Sequence, residues 1–134
     1  MTSIFSKIIN RDIPAYIVAE DDHNIAILDI NPLVIGHTLV IPKKQVDYYF
    51  DLDPEDFTRL NNFGRKVAKA IETVIPCLRI GVSVIGLEVP HTHVHLIPLN
   101  SMEDMNFSRA KLKLSPEEFE NTARNIQDAY QALD

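Results

Sequence analysis

"HTHVHLIPL", residues 91–99, is the stretch on which the fold turns. Its histidines, His91, His93 and His95, occupy every second position in a chain that has only 5. A period of two is that of a strand, so the three imidazoles are expected on one face and Thr92, Val94 and Leu96 on the other. Same-face neighbours on a strand stand roughly 6.5–7 Å apart. One face can pack on a core, and the other presents imidazole to something else.

Working backwards, "LRIGVSVIG", residues 78–86, reads as a second strand with Leu78, Ile80, Val82 and Val84 on one face. Before it lies a helix. Asp53 suits the N-cap, Pro54 the first helical position, and Glu55 and Asp56 the electropositive helix start. Phe57, Leu60, Gly64, Val67, Ile71 and Val74 follow at helical spacing, so the helix is expected over 54–75, with Pro76 as its stop. The first 50 residues read as short pieces. "SIFSKIINR" has Ile4, Phe5, Ile8 and Ile9 spaced for one or two helical turns. "AYIVAED" and "NIAILDI" are β-rich runs separated by the turn signal "DDHN", and "HTLVIPKK" is another strand after the Asn31-Pro32 turn and Gly36. Beyond the histidines, Ser115-Pro116-Glu117-Glu118 forms a capping box, and Phe119, Ala123, Ile126 and Tyr130 mark the apolar face of a final helix. Strands on either side of one long helix give an α+β fold with an antiparallel sheet.

The 134 residues suffice for a single domain, 1–134, with one real core. A net charge of −6 provides no basic footprint for nucleic acid as a primary partner, although a local pocket can still hold a small phosphorylated ligand. The single cysteine, Cys77, excludes an internal disulfide and suits a cytoplasmic location. The opening lacks the apolar run of a signal peptide, and no stretch approaches the about 18 apolar residues that span a bilayer, so no membrane partner is expected.

Taken alone, the histidine strand has three readings. It can be a half-exposed strand with no role. It can hold a metal, with His37 as a ligand from another element. Or an imidazole can attack phosphorus, forming a covalent intermediate while its neighbours orient it and protonate the leaving group.

The pattern "HTHVHLI" resembles the signature of the histidine triad (HIT) family, with Thr92 at a usually apolar position. "SIFSKIINRDIPAYIVAEDD" is similar to the opening of the family's Hint-like branch, and "ILDINPLVIGHTLVIPKK" to its strand pair. The resemblance covers residues 4–100; the tail, 101–134, carries no matching motif. It implies a HIT-like antiparallel sheet of about five strands with one long central helix and a C-terminal helix. It also implies a homodimer whose two-fold interface uses the helix at 54–75 and the strand at 78–86. Phe50, Phe57 and Phe63 add more aromatic surface than one short helix needs.

The family binds nucleoside phosphates and cleaves or transfers nucleotidyl groups. By resemblance, His93 is the nucleophile that carries the nucleotidyl group. His95 contacts the α-phosphate or leaving group, His91 holds His93 through its carbonyl, and His37 is a fourth histidine from the neighbouring strand. Asp29 is matched to the acceptor of the ribose hydroxyls, a task that suits a carboxylate with two oxygens. Phe5, Ile8 and Ile27 are matched to the walls of the base slot. The implied ligand is a purine nucleotide such as AMP, and the chemistry needs no metal or cofactor. The expected substrates are nucleoside 5′-phosphate derivatives of the phosphoramidate, acyl-adenylate or dinucleoside polyphosphate type. A nucleotide-binding or interaction module with weak catalysis, and a zinc-dependent hydrolase built on the histidine strand, are the alternatives.

Two departures from the family pattern bear on the site. The approach to the triad, Ser83 to Pro90, is short and lacks the usual Asn and Gln, leaving Ser83 and Glu88 as the polar candidates there. A raised pKa would let Glu88 donate a proton. Some bacterial relatives hold a structural zinc on two cysteines, a histidine and the first triad histidine. Here the corresponding residues are Ser3, Ser6, Gln45 and His91, and hydroxyls and an amide are poor zinc ligands, so no structural zinc is expected.

Overall fold

The computed structural model describes residues 2–133. A short helix α1 (Ile4–Ile9) precedes strands β1 (Ile17–Glu20), β2 (Asn24–Leu28) and β3 (Thr38–Pro42). The long helix α2 (Pro54–Val74) follows, then β4 (Arg79–Ser83), β5 (Val94–Leu99) and the final helix α3 (Pro116–Ala132). The strands form one five-stranded sheet in the order β1-β2-β3-β5-β4 with every neighbouring pair antiparallel. This is the α+β architecture expected from the sequence.

The helix ends follow from local chemistry. The Asp53 carboxylate accepts from the Asp56 N–H at 2.8 Å, and Pro54, which has no N–H to satisfy, opens α2. Ser115 and Glu118 cap α3 reciprocally at 3.0 and 3.1 Å. Ser3 caps α1, its hydroxyl accepting from the Ser6 N–H at 3.0 Å.

The sheet is covered on both faces. On one, Ala26, Leu28, Val40, Val94 and Leu96 pack against Leu60, Phe63, Val67 and Ile71 of α2 and Phe119, Ala123 and Ile126 of α3. On the other, Ile25, Ile27, Leu39 and Ile41 pack against Phe5 and Ile8 of α1. Central strands buried on both faces read as continuous apolar runs such as "NIAIL" and "TLVIP". Truncating a fully buried Leu60 or Ile71 to Ala would cost about 2–5 kcal/mol. Among the described residues, no helix is long and apolar enough to cross a membrane.

Three expectations are corrected. The histidine strand starts at Val94, not His91. The β3 ladder ends at the Val40–Val94 pair. The Pro42 carbonyl lies 2.7 Å from the His91 ring, and the Thr92 N–H turns away to Val46 O at 2.7 Å, so pairing cannot continue. The side-chain alternation nevertheless survives, since Val94 and Leu96 enter the larger core opposite His95. The strand expected over 78–86 is shortened to Arg79–Ser83. Its face is split, because β4 is the outermost strand: Ile80 and Val84 pack on the core while Leu78 and Val82 remain 78% and 63% exposed. Phe63 is no surface aromatic; it is buried against Tyr130, and Phe57 packs partly on the same core, leaving only Phe50 of the three exposed.

Candidate functional site

The site forms where β3, β5 and the loops before them converge. Gly36 makes the turn into His37 with φ 92°, and a Cβ there would stand 3.0 Å from Ile75 Cγ1, so glycine alone fits without strain. His37 then sits just ahead of β3, 1% exposed. His95 lies on β5 opposite Leu39 of β3 and Ser83 of β4. His91 and His93 occupy the irregular segment before β5.

Hydrogen bonds orient all four rings. The Leu33 N–H donates to His37 Nδ1 at 3.0 Å, so that nitrogen carries no proton. Burial, with His95 and Lys111 nearby, pushes the His37 pKa down to about 3. The neutral ring therefore keeps its proton on Nε2 and donates it to His95 Nδ1, 2.9 Å away. His95, also held neutral by burial with a pKa of about 4, is left with its proton on Nε2. His93 Nδ1–H donates to the carbonyl of His91 at 2.8 Å, which leaves Nε2 as the nitrogen open to a ligand. His91 Nε2–H donates to Pro42 O at 2.7 Å. Burial lowers the His91 pKa, so Nδ1 accepts from the Ser3 hydroxyl at 2.6 Å. The result is a His93 Nε2 with no hydrogen-bond partner among the described residues and one N–H on His95, on rings whose centroids lie 5.2 Å apart. A single phosphoryl group can span that distance, accepting attack from one ring and a hydrogen bond from the other.

Asp29 stands at the rim of this group. Its Oδ1 accepts from the Asn31 N–H at 2.8 Å, and its Oδ2 lies 3.6 Å from His37 Nε2. With His37 neutral this contact is no ion pair. Burial raises the Asp29 pKa. Phe5 lies edge-on to His93 at 4.9 Å and to His91 at 5.8 Å, whereas Ile8 and Ile27 are packed in the smaller core with it. Ser83 meets His95 through strand register. Glu88 is exposed, and among the described residues it makes no hydrogen bond or ion pair with the histidines. Its neighbour Leu87 is 88% exposed, so the loop from Val84 to Pro90 brings no polar side chain to the rings.

Two groups bear on metal binding. Asp29, His37 and His95 present ligand atoms within 4.8 Å of one another, and a cation there would have to displace the proton held between His37 and His95. This differs from the zinc alternative drawn from the sequence, because both nitrogens of His91 are engaged with Pro42 and Ser3. The second group is Ser3, Ser6, Gln45 and His91, the positions matched to a structural zinc site. Ser3 N–H reaches Gln45 Oε1 at 3.1 Å, Ser6 Oγ donates to the same oxygen at 3.0 Å, and Ser3 Oγ lies 3.2 Å from Ser6 Oγ. These groups satisfy one another as neutral hydrogen-bond partners, and the set does not fit zinc. A separate cleft of about 450 Å³ is lined by His23, Lys43, Lys44, Asp53 and Arg59. Its cations are paired with Glu20, Asp56 and Glu55, and it includes no triad histidine.

The sequence reading missed the segment after β5. Phe107 lies edge-on to His95 at 5.0 Å and to His37 at 6.4 Å. Lys111 is close enough to act electrostatically on both Asp29 and His37. One phenylalanine in the polar run "NFSRAKLK" carried no periodic signal that could have revealed this.

A pair of hydrogen-bonded histidines beside a half-buried carboxylate, on an open antiparallel sheet, is an arrangement that can receive a phosphate group. The HIT domain family model matches residues 10–102, and the chain belongs to the HIT family. It is 37% identical over 131 residues to an uncharacterised HIT-like protein of Borreliella burgdorferi, covering 92% of this chain and 94% of that one. It is 33% identical over 128 residues to an adenosine 5′-monophosphoramidase of Schizosaccharomyces pombe, covering 94% and 96%. A HIT-like protein structure from Bartonella henselae, 34% identical, superposes with a TM-score of 0.82 over 95% of each chain.

Proposed function

We propose that this HIT protein hydrolyses or transfers the nucleotidyl group of nucleoside 5′-phosphate derivatives through a covalent intermediate on His93. The observation that carries the reading is the 2.8 Å bond from His93 Nδ1–H to the His91 carbonyl. It holds the ring in the tautomer whose Nε2 lone pair attacks phosphorus. The Nε2 of His93 forms the new P–N bond. The bond to the leaving atom breaks with its electron pair going to that atom, which takes up the proton of His95 Nε2. Water then attacks the same phosphorus, the P–N bond to His93 breaks, its electrons return to the ring, and the proton that water loses returns to His95 Nε2. Asp29 receives the ribose hydroxyls, and Phe5, Ile8 and Ile27 form the wall behind the base. The name of the Schizosaccharomyces pombe relative favours a phosphoramidate of AMP as the substrate.

The test is incubation with adenosine 5′-phosphoramidate, with mass spectrometry of the quenched protein. The expected result is release of AMP and an adenylyl group on His93. AMP release with no adduct on any histidine would sink the covalent reading. AMP binding without turnover would leave a nucleotide-binding module, a reading that the exposed Leu87 and Glu88 favour.

We also infer a homodimer, joined through β4, because that outer strand leaves Leu78 and Val82 exposed at the sheet edge. Sedimentation at micromolar concentration tests it, and a monomer would refute it. The expected compartment is the cytoplasm, which suits a chain with one half-buried free cysteine.

A further inference from the structure

A run of hydrogen bonds reaches His95 from outside the matched family region, which ends at residue 102. The Leu112 N–H donates to Pro32 O at 2.9 Å. The same peptide unit, on its other side, presents the Leu33 N–H to His37 Nδ1 at 3.0 Å. His37 Nε2–H then donates to His95 Nδ1 at 2.9 Å. Every donor in this chain points the same way, from the tail segment to the site, and each bond polarises the next. Arg109 grips the same loop, since its Nη2 donates to Leu33 O at 2.7 Å. Its Nη1 is anchored 3.4 Å from the Asp104 carboxylate, which itself accepts the Asn100 and Ser101 N–H groups. Lys111 closes the turn by donating to Phe107 O at 2.6 Å and Arg109 O at 3.2 Å. That turn lays the Phe107 ring against both His95 and His37.

We propose that the segment from Asp104 to Leu112 is a built-in positioning device for the His37–His95 pair, with Arg109 and Phe107 as its positioning residues. Arg109 holds the Leu33 peptide, so that its N–H keeps His37 in the Nε2–H tautomer. Phe107 keeps water from the two facing nitrogens. Together they ensure that His95 offers a proton from Nε2 and never from Nδ1. Lys111 and Asp29 are charged groups beside this pair, the rings of His93 and Phe107 face it, and Leu114, Phe119 and Thr122 share a small cavity with His37. The mechanistic meaning rests on the proposed role of His95 as proton donor, but the tautomer itself can be measured without any substrate.

The experiment is two-bond ¹H–¹⁵N correlation on protein labelled with ¹⁵N-histidine, which distinguishes Nδ1–H from Nε2–H in each ring. The wild type is expected to show only the Nε2–H tautomer for His37 and His95 through neutral pH. Arg109→Ala and Phe107→Ala are expected to give mixed tautomers at His95 and to raise its titration midpoint by about one unit or more. Arg109→Lys, which still donates to a carbonyl, should restore the single tautomer. Phe107→Leu serves where Phe107→Ala fails to fold, and should shift the midpoint less. In turnover, both alanine variants should lower kcat about tenfold with little change in KM. Folded variants that keep wild-type tautomers and midpoints would overturn the proposal. A shift in tautomer without an adenylyl adduct on His93 would leave it standing while refuting the function proposed above.

Discussion

The Nε2 of His37 lies 2.9 Å from the Nδ1 of His95, with both rings neutral because burial has removed their affinity for a second proton. A neutral histidine has one N–H, and this contact decides where it is. In the proposed mechanism His95→Ala removes the donor for the leaving group. General acid contributions run to about 10²–10⁴-fold, so a loss of that size is expected for an amine leaving group. His37→Ala leaves His95 its ring but frees its tautomer, and a smaller loss of about 10–100-fold is expected. Steady-state rates with substrates of graded leaving-group basicity check this. The loss in both variants should shrink as the leaving group needs less protonation.

His93 calls for a different signature. Its Nδ1–H is committed to the His91 carbonyl, so no neighbouring ring can replace its Nε2. His93→Ala should abolish the adduct and lower turnover on the order of 10⁴-fold or more, while AMP binding persists. Calorimetric titration with AMP separates the two effects, and a variant that still turns over at near wild-type rate would place the nucleophile elsewhere.

The sequence made the fold legible because caps and periodicities are local. Asp53 with Pro54, and Ser115 with Glu118, announce α2 and α3 to within a residue. The alternation of His91, His93 and His95 placed His95 opposite Val94 and Leu96, as found. What failed was the start of the strand, since it depends on where Pro42 O and Val46 O find their donors, residues distant in sequence. The exposure of Val82 also escaped, because nothing local says that a strand will be outermost. At the site, Asp29, His37, His93 and His95 are legible in the sequence and lie together. Glu88 stands apart from them. Phe107 and Arg109 were invisible because their role comes from the return of an irregular segment over the Leu33 loop, which no period encodes.

Buried neutral histidines make stability depend on pH. In the unfolded chain, His37 and His95 titrate near 6.5; in the folded protein they do so at about 3 and about 4. Between those values the unfolded state binds protons that the folded state refuses, so stability falls as pH drops below 6.5. Each group contributes about 1.4 kcal/mol per pH unit in that window. His91, lowered by burial, adds in the same direction, whereas Asp29, raised by burial, opposes. Glu20 and Asp104 have lowered values and withdraw their stability only below the ordinary carboxylate range. Urea unfolding at about pH 7 and about pH 5 should show a loss of several kcal/mol. Equal midpoints would mean that the rings are solvated.

The Ser3 hydroxyl both caps α1 and donates to His91 Nδ1 at 2.6 Å. Ser3→Ala removes a cap worth about 1 kcal/mol and leaves a buried nitrogen without its donor, which costs about 1–3 kcal/mol. A drop of a few kcal/mol in unfolding free energy is therefore expected. The same geometry makes a statement about metal. Untagged protein should carry no stoichiometric zinc, and chelators should leave turnover unchanged, because Ser3, Ser6 and Gln45 offer hydroxyls and an amide already bonded to one another. Replacing them together, Ser3→Cys, Ser6→Cys and Gln45→His, would gather two thiolates and an imidazole around His91 Nδ1. The Nε2–H of His91 is already oriented on Pro42 O, the outer contact that a ligating histidine needs. The triple variant should bind one zinc per chain by elemental analysis and unfold at higher temperature with it than without. A variant that folds but takes up no zinc would show that the four positions are not held as the hydrogen bonds imply.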